Sequence, residues 1–278
     1  MDTQDMSTPD PERENPQVKF DTTVASPARI YDVWLGGKDN YPADREAAQQ
    51  VIDAFPGIIA GVRANRVFLG RAVRYLAAEA GIRQFLDIGT GLPTADNTHE
   101  VAQGIAPDSR IVYTDNDPIV LVHARALLTS TPQGKTSYIE ADLRDPEKVL
   151  RAAAETLDFT KPVGITLLMI LMLIQGTDEP YAIVSRLLEA VPSGSYLVIS
   201  HPAKGVDSGE IAEAYERLNE RMGDAQATLR TRAEIARFFD GLNMVEPGLV
   251  QLHRWRPDPG EISLDFDVPA YCGVGRKP

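Results

Sequence analysis

The chain of 278 residues carries 28 Lys plus Arg against 40 Asp plus Glu, a formal charge of −12, with 43% hydrophobic residues and one cysteine. That length and apolar content can build a large core, which excludes general disorder, and the lone Cys272 excludes an internal disulfide or a cysteine-built zinc site. The acidic balance weighs against a nucleic-acid partner, because duplex binding needs clustered Lys and Arg to neutralise phosphates.

The opening stretch MDTQDMSTPDPEREN is polar and proline-bearing, without the basic and apolar regions of a secretory signal. Residues 1–17 therefore read as a disordered tail and the cytoplasm as the compartment. Residues 18–80 read as a helical cap. Ala, Arg, Leu and Val recur at helical spacing from Pro27, Gly36, Gly37 and Pro42 interrupt them, and a helix from about Ile58 sets Val62, Val67, Phe68, Val73 and Leu76 on one stripe. Gly81 stops that helix. Residues 81–278 read as the core. Strands QFLDIG, RIVYTD, TSYIEAD, PVGITLLMILMLI and SYLVISH alternate with helices near Thr98 to Ile105, Pro118 to Thr129, Pro146 to Leu157 and Glu179 to Val191. Such alternation predicts a parallel sheet with right-handed crossovers. The apolar run from Pro162 to Ile174 is shorter than the ~20 residues of a membrane span and reads as a buried strand. Helices near 209–221 and 232–239 and two strands, about Met244 to Leu252 and Pro269 to Gly275, complete the chain.

The chemistry concentrates where strands end. In FLDIGTGLPT, Asp87 closes a strand, and Gly89 and Gly91 open a turn through which a ligand can approach the backbone. An anionic dinucleotide pyrophosphate would meet Asp87 unfavourably, and Thr94 replaces the third glycine of the dinucleotide fingerprint. S-adenosylmethionine, with a sulfonium and an ammonium, suits an acidic residue there; the alternative is that Asp87 only bonds the turn. Asp115 ends the second strand, where a carboxylate accepts both hydroxyls of a ribose. Asn116 is placed beside the adenine, while Asp117 before Pro118 reads as a helix N-cap. At the third strand end, Asp142 accepts from the adenine amine and the Leu143 amide donates to a ring nitrogen, or Asp142 merely caps a loop.

These residues resemble the class I, Rossmann-like S-adenosylmethionine-dependent methyltransferases. Longer stretches, among them PARIYDVWLGGKDNYPADREAA, ANRVFLGRAVRYLA, RQFLDIGTGLPT and IVYTDNDPIVLVHARALL, are similar to an actinobacterial family of methyltransferase-like proteins. The resemblance implies an α/β fold with a seven-stranded, mostly parallel sheet, an antiparallel C-terminal edge and an N-terminal helical cap. It further implies S-adenosylmethionine as cofactor, but no known substrate. The charge of −12 favours a small-molecule acceptor over nucleic acid, no His, Cys or carboxylate spacing supports a metal site, no apolar run is long enough for a membrane span, and a monomer or homodimer is expected. A lid formed by the YDVWLGGKDNY turn would bring Tyr31, Gly37 and Asn40 to the cofactor, the alternative being an ordinary helix connection. Arg66 either clamps the cofactor carboxylate or forms a salt bridge within the cap.

For acid–base chemistry the best-placed group is His201 at the end of the fifth strand, as a general base or as a hydrogen-bonded structural histidine. After the fourth strand, Met172 follows Leu171 where the resemblance leads one to expect Leu-His. That departure keeps a second function open, a non-catalytic sensor of S-adenosylmethionine or another adenosine ligand acting through a partner.

Overall fold

A computed structural model describes residues 21–127, 130–176, 179–206, 209–223, 225–259 and 267–278. The tail expected over residues 1–17 lies outside them, as do Leu128 and Thr129 of the expected fifth helix.

The alternation of the sequence becomes a single sheet. Strands β1 (Gln84–Ile88), β2 (Arg110–Asp115), β3 (Lys135–Glu140), β4 (Gly164–Leu168) and β5 (Tyr196–Pro202) run parallel. Antiparallel to β5 lies β8 (Ala270–Arg276), which pairs in turn with β6 (Asn243–Met244) and β7 (Val250–Gln251). The order is β3-β2-β1-β4-β5-β8-β6, with β7 also on β8. The sheet thus has 8 strands rather than seven. The difference arises at the edge: the strand expected over Met244 to Leu252 is split by Glu246-Pro247-Gly248, where proline withholds a ladder donor and Gly248 takes φ +84°.

Parallel strands must be covered on both faces, and β1, buried throughout, shows it. On one face pack α6 (Pro146–Ala153), α7 (Glu179–Glu189) and Ile235, Phe238 and Phe239. On the other, the later turns of α3 (Ile58–Ala78) join Trp255 and the inner side of β8. The intervening helices are α4 (Thr98–Ile105) and α5 (Pro118–Leu127). Local signals set their ends: an Asn97/Glu100 capping box starts α4, and the Asp145 side chain accepts from the Lys148 amide to start α6.

The cap is assembled from two distant stretches. Helices α1 (Pro27–Leu35) and α2 (Pro42–Ala54) and the first turns of α3 enclose Ile30, Trp34, Val51 and Phe55, and α8 (Glu210–Asn219) adds Ile211, Tyr215 and Leu218 to the same cluster. Buried Asp44 fastens its entry. It accepts from Arg29 Nε at 2.8 Å and from the amides of Ser26 and Tyr41 at 2.9 and 2.8 Å, so the buried charge is fully solvated by protein. The boundary expected at residue 80 falls just after α3, whose beginning belongs to the cap and whose remainder covers the sheet.

The apolar run from Pro162 to Ile174 is not one strand. It leaves the sheet after Leu168, turns at Met169 with φ +54°, and closes a 3-10 turn over Leu171–Leu173. Met172 and Leu173 pack with the cap cluster while Leu171 and Ile174 stay in the core, so hydrophobicity is satisfied by bridging two layers. Among the described residues, no helix is long and apolar enough to cross a membrane.

Candidate functional site

A cleft of about 290 Å³ opens between the carboxyl ends of β1, β2 and β4 and the underside of the cap. That size lies near the lower end of the roughly 300–1,000 Å³ typical of small-molecule sites. Asp87, Gly89, Gly91, Asp115, Asn116, Asp142 and Leu143 line it from the sheet, and Tyr31 and Arg66 from the cap.

The floor is a set of carboxylates held by hydroxyls, backbone amides and a guanidinium. Asp87 accepts from Thr98 Oγ1 at 2.6 Å and Thr166 Oγ1 at 2.7 Å, and burial raises its carboxyl above the ordinary range against those bonds. Each oxygen keeps a lone pair for a further donor. Both hydroxyls come from outside the turn, Thr98 at the start of α4 and Thr166 on β4, so the alternative in which Asp87 only bonds the turn's own amides is not what the geometry shows. Gly89 takes φ +73° and donates to Thr114 O at 2.7 Å; a Cβ there would overlap Ile170. Gly91, at φ +63°, faces open space and donates its amide to Asp115 Oδ2 at 2.9 Å. Asp115 Oδ1 accepts from the Asp117 amide at 2.9 Å, so the carboxylate is fixed in orientation. Burial nevertheless pushes its pKa up from 3.8 to about 6, the two amides opposing that shift.

The third strand end is more crowded than the sequence suggests. Asp142 is gripped by Arg144, Nε on Oδ1 at 2.9 Å and Nη2 on Oδ2 at 2.7 Å, and accepts from Asn116 Nδ2 at 3.0 Å. The Arg144 guanidinium holds its pKa down to about 2. Asn116 and Asp142 therefore form one polar wall. The neighbouring Leu143 amide makes no hydrogen bond to a described residue, an unpaired donor at the cleft.

From above, Arg66 donates through Nη2 to Ala95 O at 2.8 Å and Asp96 O at 3.2 Å, bridging α3 to the β1–α4 loop, and makes no ion pair with a described residue. Tyr31 is the end of a relay. The Met169 amide donates to Ser200 Oγ at 3.1 Å, Ser200 to Asn65 Oδ1 at 2.7 Å, Asn65 Nδ2 to Tyr31 Oη at 2.9 Å, and Tyr31 to Val62 O at 3.2 Å. Ser26 Oγ donates to Asp117 Oδ2 at 2.8 Å, tying the cap's first residues to the sheet edge, while Asp117 Oδ1 caps the Ile119 amide.

Three expected residues stand elsewhere. Gly37 and Asn40 do not line the cleft; they wrap Asp32, whose carboxylate accepts from Asn40 Nδ2 at 2.8 Å and the Asp39 amide at 3.0 Å. Only glycine fits at Gly37, because a Cβ would overlap that carboxylate. Asp32 is the lining residue the turn serves. His201 is fully buried outside the cleft. Its Nδ1 donates to Pro202 O at 2.7 Å, and its Nε2 accepts from Arg230 Nη1 at 2.7 Å. Burial, with Arg230 adding to it, lowers its pKa to about 3. With its Nε2 lone pair occupied and its ring outside the cleft lining, His201 has the geometry of the hydrogen-bonded structural alternative. Asn65, Asp32 and Ser26 are not singled out by the sequence; the partners of Asn65 and Ser26 lie far along the chain, and Asp32 is an ordinary polar residue whose role appears only once the turn closes on it.

A cavity with an open Gly91, a fixed diol-accepting carboxylate and an unpaired amide at the third strand end fits an adenosine-bearing ligand. Comparison with known proteins points the same way. A family model described as S-adenosyl methyltransferase matches residues 13–278. A DUF574 family protein from Streptomyces avermitilis is 48% identical, over 92% of this chain and 99% of that one, with a TM-score of 0.88. A Thermobifida fusca protein described as a candidate methyltransferase is 39% identical, over 92% and 96% of the two chains, with a TM-score of 0.83. The plantazolicin methyltransferase BpumL, solved with S-adenosylhomocysteine, is 11% identical over 90% of this chain and 96% of its own, and its TM-score of 0.53 reflects a shared fold. No curated protein matches the sequence.

Proposed function

Because the chain belongs to the S-adenosyl methyltransferase family, its methyl donor is S-adenosylmethionine, and we propose that the cleft presents that donor to a small-molecule acceptor. Asp115 accepts the ribose hydroxyls, Asn116, Asp142 and the Leu143 amide border the adenine, and Arg66 and Asp87 take the carboxylate and the cationic end. When bound, the donor would supply an electrophilic methyl for the acceptor's electron pair, the C–S pair staying on sulfur and the proton of a neutral acceptor passing to bulk solvent after the transfer.

The protein's part is alignment and exclusion of water. Tyr31 is held over the cleft by Asn65, and Ser26 clamps the cap to Asp117. Burial raises the Tyr31 hydroxyl, keeping it neutral, and His201 is committed to Arg230. The reading thus assigns catalysis to positioning rather than to a protein base, and no observation favours the sensor.

One observation carries the assignment, the Asp115 carboxylate fixed by two backbone amides beside the open Gly91. Calorimetry with S-adenosylhomocysteine tests it. Asp115→Ala, checked for folding by circular dichroism, is expected to weaken binding by at least about tenfold, since hydrogen bonds to a charged group contribute about 1.5–3 kcal/mol. Unchanged affinity overturns the ribose assignment.

A further inference from the structure

Beyond the cofactor cleft, a second and smaller space of about 40 Å³ lies where α1, α3 and α8 face the ends of β5 and β8. Tyr31, Met169 and Met172 stand between the two spaces and line both. Among the described residues, no charged side chain lines this chamber. Its walls are rings and aliphatic groups, chiefly Trp34, Phe55, Ile58, Ile211 and Val268.

The polar atoms that could reach inward are already turned to the protein. Trp34 Nε1 donates to Ala48 O at 3.2 Å, Tyr31 Oη to Val62 O at 3.2 Å, and Tyr215 Oη to Met172 Sδ at 3.7 Å. A charged or strongly polar group placed here would lose its water without gaining partners. An apolar group would bury its surface favourably.

The junction also contains constrained backbone. Met169 holds φ +54°, a left-handed conformation unfavourable for a side-chain-bearing residue, and its amide is pinned by Ser200 O at 3.0 Å and Ser200 Oγ at 3.1 Å. The strain turns the chain out of β4 so that Met169 and Met172 form the neck between the spaces. Met172 occupies the place where a histidine was expected, which makes that neck apolar.

We propose that the chamber is the acceptor subsite and that the acceptor is a small uncharged molecule whose compact aliphatic end, of about isobutyl size, enters it while its nucleophilic atom stays at the Tyr31–Met169–Met172 neck. The inference rests on the methyl-donor reading of the adjoining cleft. It also assigns specificity to α8 and the first turns of α3, which leave the cofactor contacts untouched.

Gly61 provides the test, because it lines the chamber and not the cleft, and a Cβ there meets Val268 Cγ1 at an ordinary 3.7 Å. NMR titration of the protein saturated with S-adenosylhomocysteine would use 3-methylbutan-1-ol as the probe and 3-methylbutylammonium as its charged counterpart. Saturable alcohol binding, at least tenfold weaker for the ammonium and at least tenfold weaker in Gly61→Leu, supports the proposal. The melting shift caused by S-adenosylhomocysteine, measured on the same samples and retained in Gly61→Leu, reports the fold and the cofactor cleft separately. Should Gly61→Leu fail to fold, Gly61→Ala replaces it, with about threefold weakening expected. Absence of alcohol binding, equal binding of the ammonium, or binding unaffected by filling at Gly61 overturns the proposal while leaving the donor reading to its own measurement.

Discussion

The pH dependence of ligand binding probes Asp115 directly. Burial raises its pKa from 3.8 to about 6, so the unliganded fold binds a proton that the unfolded chain releases. That contribution to stability is complete below 3.8 and is lost as pH rises through 6. The fold is therefore favoured by about 1 kcal/mol more at pH 5 than at pH 8 through this group alone. Ligand binding has the opposite sign. Ribose hydroxyls donate to the ionised carboxylate, so below pH 6 a proton must first leave, and affinity should fall about tenfold between pH 7 and pH 5. Asp142, held at about 2 by Arg144, stays ionised across this window and adds no slope. Calorimetry with S-adenosylhomocysteine at pH 5, 6, 7 and 8, paired with urea unfolding of the unliganded protein, measures both trends. Asp115→Asn removes the titrating group, so the difference between wild type and variant isolates it from every other titration. Equal wild-type affinity at pH 5 and 7, or the same pH slopes in Asp115→Asn, would refute the reasoning.

Arg66→Ala should weaken S-adenosylhomocysteine by about 10-fold or more, the worth of a charge-assisted bond, while leaving 5′-methylthioadenosine, which lacks the amino-acid end, within about twofold; equal losses for both ligands in calorimetry would remove the carboxylate contact. His201→Ala strips a partner from buried Arg230 and opens a cavity, so denaturant unfolding should show a loss of about 2–4 kcal/mol. Its S-adenosylhomocysteine affinity at 15 °C should nevertheless stay within about twofold, and a binding defect in a stably folded variant would contradict the structural role.

Much of this protein is legible in one dimension because regular elements obey short-range rules. Alternating strands and helices, the Asn97/Glu100 cap and the paired glycines after Asp87 are all set by neighbours within a few residues. Parallel crossovers then place the ends of β1, β2 and β3 on one edge, which is why Asp87, Asp115 and Asp142 could be gathered without coordinates. What the sequence left open are questions of direction. Ser200 and His201 are consecutive on β5, and strand alternation sends one toward Asn65 and the cap and the other toward Phe238 and Arg230. Only the packing on each face decides which of them approaches the site.

The same distinction holds for the turns. Gly37 and Asn40 are recognisable as a turn, but that it closes on Asp32 rather than on the ligand depends on where α1 and α2 are pressed together. An apolar run such as that from Pro162 to Ile174 satisfies hydrophobicity equally as a strand or as a plug between layers, and contact with α8, some forty residues later, selects the plug. By itself, then, the amino-acid sequence determined the fold class and the acidic strand ends, through periodicity and local turn chemistry. Tertiary structure alone decided which side chains face the cleft, which are spent on one another, and that an apolar chamber adjoins it, since these follow from contacts between residues far apart in the chain.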